Sequence, residues 1–191
     1  MALLSVKERK ALFKELGLEY NKATILSLQK KYMYRKSDWD GIYGPDTENM
    51  LLTIINTQRY ASKNFKPEEF RCSCKGKYCC GFPSYMKPHE LMLIQNIRTH
   101  YGRPITVTSA LRCKRENGSS RGSIQQSKHL TGMAIDFYQP GVTNTLANRK
   151  AALRWIKKQP YFSYGYGNLI NSNGYRVKAS YMGSALHVDS K

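Results

Sequence analysis

The sequence has no long apolar run. A membrane-crossing helix needs about 18 or more consecutive apolar residues, and none of the 191-residue chain meets that requirement. Acidic residues are scarce: 13 Asp and Glu stand against 31 Lys and Arg, for a net charge of +18. Such an excess disfavours cationic partners and favours a polyanion. The candidates are nucleic acid, anionic lipid, and the teichoic-acid or peptidoglycan carboxylates of a bacterial wall. No helix-turn-helix, zinc-knuckle or aromatic-platform signature accompanies the charge, so nucleic acid is not the expected partner. Internal repeats and low-complexity tracts are missing too. The opening MALLSVKERKALFKELG puts a short apolar stretch before its charges. A secretory signal needs the basic residues first, then a longer apolar segment and a cleavage site. The expectation is synthesis in a cytosol without a signal peptide, with any export by another route.

What the chain does have is enough apolar content, 41%, to build a core. Its length suits one medium domain, or a compact domain with a small companion. Residues 1–56 read as helical. In ILSLQKKYM, Ile25, Leu28 and Tyr32 fall at helical spacing, with Gln29 on the same face. Asp40-Gly41 marks a tight turn, and Gly44-Pro45 starts another helix, where proline leaves no N–H unsatisfied. Asp46 and Glu48 suit that helix's dipole, and Met50, Leu51 and Ile54 supply an apolar face. Residues 57–65, TQRYASKNF, are polar and aperiodic and read as a linker.

The second unit is expected over residues 66–191. It holds a helix from Pro88 to Tyr101, a strand in PITVTSALR and a Gly/Ser/Arg-rich loop at 117–123. A strand in MAIDF, a helix around Asn148 to Lys158, and strands near 164–169 and 186–189 follow. The expected class is α+β: a small antiparallel sheet with flanking helices, plus the small N-terminal helical module.

Of five cysteines, Cys72, Cys74, Cys79 and Cys80 crowd into CSCKGKYCC, and Cys113 stands apart. Close thiols can chelate zinc, but this spacing departs from the paired-knuckle pattern. The segment reads as a tight loop with reduced thiols, or with one disulfide outside the cell. A structural zinc on those four is the less favoured alternative.

Histidine occurs four times. His89 and His100 lie on the helix before the sheet and read as surface or packing residues. His129 precedes a strand in which Met133, Ile135 and Phe137 take one face, and Ala134 and Asp136 the other. Gly132 allows a turn between His129 and that strand. In ALHVD, Leu186 and Val188 share one face, and Ala185, His187 and Asp189 the other. If the two strands are neighbours, two imidazoles and one or two carboxylates converge. Two histidines and a carboxylate make the three-ligand shell of a catalytic zinc, with an open position for water. Arg112 ends a strand and offers a fixed fork of donors suited to an oxyanion.

Two resemblances extend this reading. Leu28-Gln29 followed by Asp40-Gly41-Ile42-Tyr43-Gly44-Pro45-Asp46-Thr47 resembles the peptidoglycan-binding-domain family of three-helix modules. The resemblance implies wall binding by that loop and its flanking helix. Ser127-x-His129-x-x-Gly132-x-Ala134-x-Asp136, with His187-x-Asp189, resembles the zinc D-Ala-D-Ala carboxypeptidase and L-Ala-D-Glu endopeptidase superfamily, which includes the hedgehog signalling domain. FKPEEFRC, TSALRCKREN and YFSYGYG extend the likeness over about residues 65–191. It implies that Zn2+ is held by His129, Asp136 and His187, that Arg112 binds the scissile carbonyl or a substrate carboxylate, and that Ser127 donates to the substrate.

Several branches carry a general-base Glu three residues before the last ligand, where this chain has Ser184. Asp189 is then the candidate catalytic base, or a residue that orients a ligand. The expected function is zinc-dependent hydrolysis of a peptidoglycan peptide bond, as a phage endolysin or virion-associated lysin. A zinc-stabilised wall-binding protein without turnover is the alternative. Carboxypeptidase and endopeptidase would share these ligands.

Overall fold

A capping box starts the first helix, α1 (Val6–Glu15): Ser5 accepts from the Glu8 amide, and the Glu8 carboxylate accepts from the Ser5 amide. The structure is a computed structural model that describes residues 3–120 and 124–191. Asn21 caps α2 (Lys22–Tyr32) singly, its side chain accepting from the Thr24 amide. Pro45 opens α3 (Pro45–Tyr60), with Asp46 and Glu48 in its first turn.

Gln29 organises the loop between α2 and α3. Its Nε2 donates to Asp40 Oδ1, Thr47 Oγ1 and the Ile42 carbonyl, and its Oε1 accepts from the Gly41 amide at 2.8 Å. The glutamine on the apolar face of α2 is thus a buried strut. Tyr43 is buried with Phe13, Ile25, Leu51 and Ile55 in a small core, while Ile42 beside it is exposed.

Helix α3 has two apolar sides. Leu51 and Ile55 face that small core, and Met50 and Ile54 join the large one. The polar stretch expected as a linker is structured differently. Thr57–Tyr60 complete α3, and Ala61 and Phe65 are buried in the large core. The physical reason is that three apolar side chains, Tyr60, Ala61 and Phe65, sit among the polar ones and pack. The Asn56 side chain donates to the Met86 carbonyl, and Thr53 Oγ1 accepts from the Met86 amide, fastening α3 to the rest of the chain.

The remainder is α+β, as expected. Helix α4 (Pro88–Tyr101) ends at Gly102 in the left-handed region. Strand β1 (Thr106–Ser109), the short helix α5 (Lys114–Ser119), β2 (Ala134–Tyr138) and α6 (Leu146–Ile156) follow. Next come β3 (Phe162–Gly167), β4 (Ile170–Asn171) and β5 (Leu186–Ser190). The sheet is antiparallel with order β1-β2-β5-β3-β4.

Strand β1 is shorter than PITVTSALR suggested. After a register shift at Ser109 the chain leaves the sheet, and the Leu111 and Arg112 amides donate to the carbonyls of Phe70 and His129. Of the stretch 117–123 expected as a loop, Asn117–Ser119 end α5, and residues 121–123 lie outside the described residues.

One face of the sheet buries Ile135, Phe137, Leu186 and Val188 with Leu91, Ile94 and Ile97 of α4. Residues of alternate parity on β2, β3 and β5 line a cleft on the other face. Among the described residues no helix is long and apolar enough to cross a membrane.

Candidate active site

Strands β2 and β5 are neighbours, and their register puts Asp136 directly opposite His187. His129 reaches the same point from the turn before β2. Gly132 makes that approach possible. Its φ is +73°, and a Cβ there would stand 2.0 Å from the Tyr85 carbonyl oxygen.

The three side chains meet closely. His187 Nδ1 lies 2.7 Å from Asp136 Oδ1, and His129 Nε2 lies 3.3 Å from Asp136 Oδ1 and 3.2 Å from His187 Nδ1. All three are buried. Each imidazole is also held from outside the group. His129 Nδ1 donates to the Ala110 carbonyl at 2.6 Å, and His187 Nε2 donates to Asp189 Oδ1 at 2.7 Å. These outward bonds leave His129 Nε2 and His187 Nδ1 facing inward beside a carboxylate oxygen. Two nitrogens and one oxygen within 4.8 Å fit a zinc shell whose tautomers are already fixed.

The charges are arranged unevenly. Burial opposes charge on His187, but hydrogen bonds to Asp136 and Asp189 outweigh it and push its pKa up to about 9. Burial lowers His129, with Asp136 partly offsetting it. Burial would raise Asp136, yet the two histidines hold it well below the usual carboxylate range. The proton favoured on His187 lies where a metal cation would displace it.

Arg112 is closer to the His-Asp-His group than a purely substrate-binding role suggested. Its Nη2 donates to Asp136 Oδ2 at 2.5 Å and its Nε to Ser109 Oγ at 2.8 Å. The guanidinium therefore orients Asp136, while its edge lines the cleft. Ser127 lines the cleft and is buried. Asp189 also lines it, with Oδ1 committed to His187. Ser184 is exposed and outside the cleft.

His89 and His100 do not line this cleft. His89 stacks on Tyr161 and His100 on Trp155, as packing residues.

The cleft encloses about 710 Å³. Sequence reasoning missed its aromatic wall. Tyr166 packs on His187 with ring centroids 4.7 Å apart, and Tyr164 and Tyr181 flank it. The signal was present: in FSYGYG the tyrosines recur at period two, which puts both on one face of β3. Lys128 and Lys178 add positive charge to the rim.

The peptidase M15 family matches residues 63–176, more than half of the chain. The match includes His129 and Asp136 and stops before β5, so His187 and Asp189 are joined to it by geometry. A search of curated proteins and a search of solved structures each gave no match. The chain belongs to the peptidase M15 family, whose members are zinc peptidases.

Proposed function

We propose that the chain hydrolyses a peptide bond in the stem peptides or cross-links of bacterial peptidoglycan, acting at the wall as a phage endolysin or virion-associated lysin. One observation carries the reading. His129, Asp136 and His187 meet in a cleft with their tautomers fixed from outside by Ala110 and Asp189.

Zinc held by these three residues would supply a Lewis acid that polarises the scissile carbonyl and acidifies a water. The chain's own residues do the rest. Arg112 holds Asp136 in orientation and turns its remaining donors to the cleft, where a developing oxyanion or a substrate carboxylate gains from them. Asp189 keeps His187 protonated at Nε2. Asp189 Oδ2, which has no hydrogen-bond partner among the described residues, takes a proton from the attacking water and returns it to the leaving amine. Ser127 donates to the bound peptide. Tyr164 and Tyr166 form a wall against which a short peptide packs.

Lys128 and Lys178 favour a substrate with free carboxylates, as stem peptides carry. The net charge of +18 favours approach to anionic wall polymers. The helical region before residue 63, with exposed Ile42 at the tip of its Gln29-braced loop, serves as the wall-binding module.

Incubation of purified walls with the protein, with and without chelator, tests the reading. Chelator-sensitive release of amino groups is expected, and mass spectrometry of the fragments identifies the bond. Wall binding with no such release would instead leave a zinc-stabilised wall-binding protein without turnover.

A further inference from the structure

The sequence puts four cysteines in CSCKGKYCC, and the structure divides them differently. Cys80 turns into the large core, where its Sγ accepts from the Phe82 amide. Cys113 takes its place, from the segment that follows β1. The sulfurs of Cys72, Cys74, Cys79 and Cys113 all lie within 4.8 Å of one another. The physical reason is local. Cys79 and Cys80 are consecutive, and their side chains part, Cys79 to the other thiols and Cys80 to the core.

We propose that Cys72, Cys74, Cys79 and Cys113 form a second, structural metal site that binds one zinc ion through four thiolates. Four soft sulfur donors in a compact group are the donor set of a closed tetrahedral zinc site, with no position left for substrate.

Three features beyond proximity support it. First, backbone amides point at the sulfurs: Cys113 N–H donates to Cys72 Sγ at 3.3 Å and Glu116 N–H to Cys113 Sγ at 3.5 Å. Such bonds favour sulfur that carries negative charge. Second, the chain adopts a strained turn to bring the thiols together. Lys75 has φ of +50°, and Gly76 follows at +88°. Third, the cysteines have basic neighbours in the chain. Binding of Zn2+ by four thiols releases four protons and leaves a net charge of −2. Lys75, Lys77, Lys114 and Arg115 adjoin the cysteines in sequence, and Lys77 and Arg115 both lie over the Tyr78 ring.

The site has a purpose in the fold. Ser73, between two of the thiols, lines the catalytic cleft, and its Oγ donates to Glu116 Oε1. Cys113 directly follows Arg112. A metal here would staple the 72–79 loop to the segment that carries Arg112, fixing one wall of the cleft. The inference does not depend on what the cleft hydrolyses.

A disulfide is the competing state, since Cys74 Sγ and Cys79 Sγ lie 3.5 Å apart. Full-length protein, purified with reductant and zinc and then dialysed, distinguishes the two by metal content and mass. Two zinc ions per chain are expected in the wild type and in Cys80→Ser. One is expected in His129→Ala/His187→Ala and one in Cys113→Ser. Cobalt loaded into the double-histidine variant should show intense thiolate-to-metal charge-transfer absorption. Should Cys113→Ser fail to fold, the double-histidine variant still decides the matter. One zinc in the wild type with none in the double-histidine variant would overturn the proposal. A Cys74–Cys79 disulfide in the zinc-purified wild type would overturn it as well.

Discussion

The two clusters of side chains that could hold a metal ion each gather their donor atoms within 4.8 Å, but they are built in opposite ways. His129, Asp136 and His187 are three mixed donors, two of them on paired strands, and they open onto a cleft of about 710 Å³. The four cysteines are uniform donors on two separate segments, one of which sends its Cys113 amide to the other's Cys72 sulfur. Three donors leave a tetrahedral ion one open position, and four leave none. The first arrangement suits chemistry on a substrate. The second suits holding the chain in place. The difference teaches where rigidity comes from: the first site borrows it from the sheet, whereas the second depends on whatever binds its own thiols.

The largest effect should come from breaking the open site. His187→Ala is expected to lower hydrolysis of wall peptides by about a thousandfold or more, because the several kcal/mol supplied by the metal is lost. Circular dichroism should stay unchanged, and a variant with undiminished turnover would remove His187 from the site. Gly132→Ala attacks the same site through the backbone. Its Cβ would meet the Tyr85 carbonyl at 2.0 Å in a left-handed conformation. A loss of about 3 kcal/mol or more is expected in denaturant unfolding.

Asp189→Asn is expected to be milder. It perturbs the outer bond to His187 Nε2, and metal affinity should fall about 10–100-fold in a competitive chelator titration. Unchanged affinity with lost turnover would make Asp189 a proton acceptor that does not position its neighbour.

The smallest effect concerns stability alone. Glu90 on α4 is fully buried beside Ser190 of β5, and burial pushes its carboxyl pKa up to about 8 from an ordinary 4.5. A raised carboxyl favours the folded state while protonated. Its contribution is whole below pH 4.5 and is lost as the pH rises through about 8. Thermal melts of Glu90→Gln across that window should therefore decline less than the wild type, by on the order of a few kcal/mol. Parallel curves would show that Glu90 is not protonated in the fold.

Much of the open site was legible in the sequence because strand alternation is local. MAIDF and LHVD each state which residues share a face, so Asp136, His187 and Asp189 could be grouped before any pairing was known. The M15 match adds the family over residues 63–176. The aromatic wall was legible by the same rule, in the period-two tyrosines of β3. The N-terminal helical region was legible through the apolar spacing of α2 and the Gly44-Pro45 start of α3. The continuity of α3 through Tyr60 was not, because polar exposed residues there conceal the buried Ala61 and Phe65.

The sequence by itself determined the ligand types, their faces on the strands and the α+β class, since periodicity and donor chemistry are properties of neighbouring residues. Tertiary structure alone decided that Asp136 pairs with His187, that Arg112 grips Asp136, and that Cys113 displaces Cys80 from the thiol group. Each of those joins residues far apart in the chain. Strand register and loop closure are set by the packing of the whole core, which no local pattern specifies.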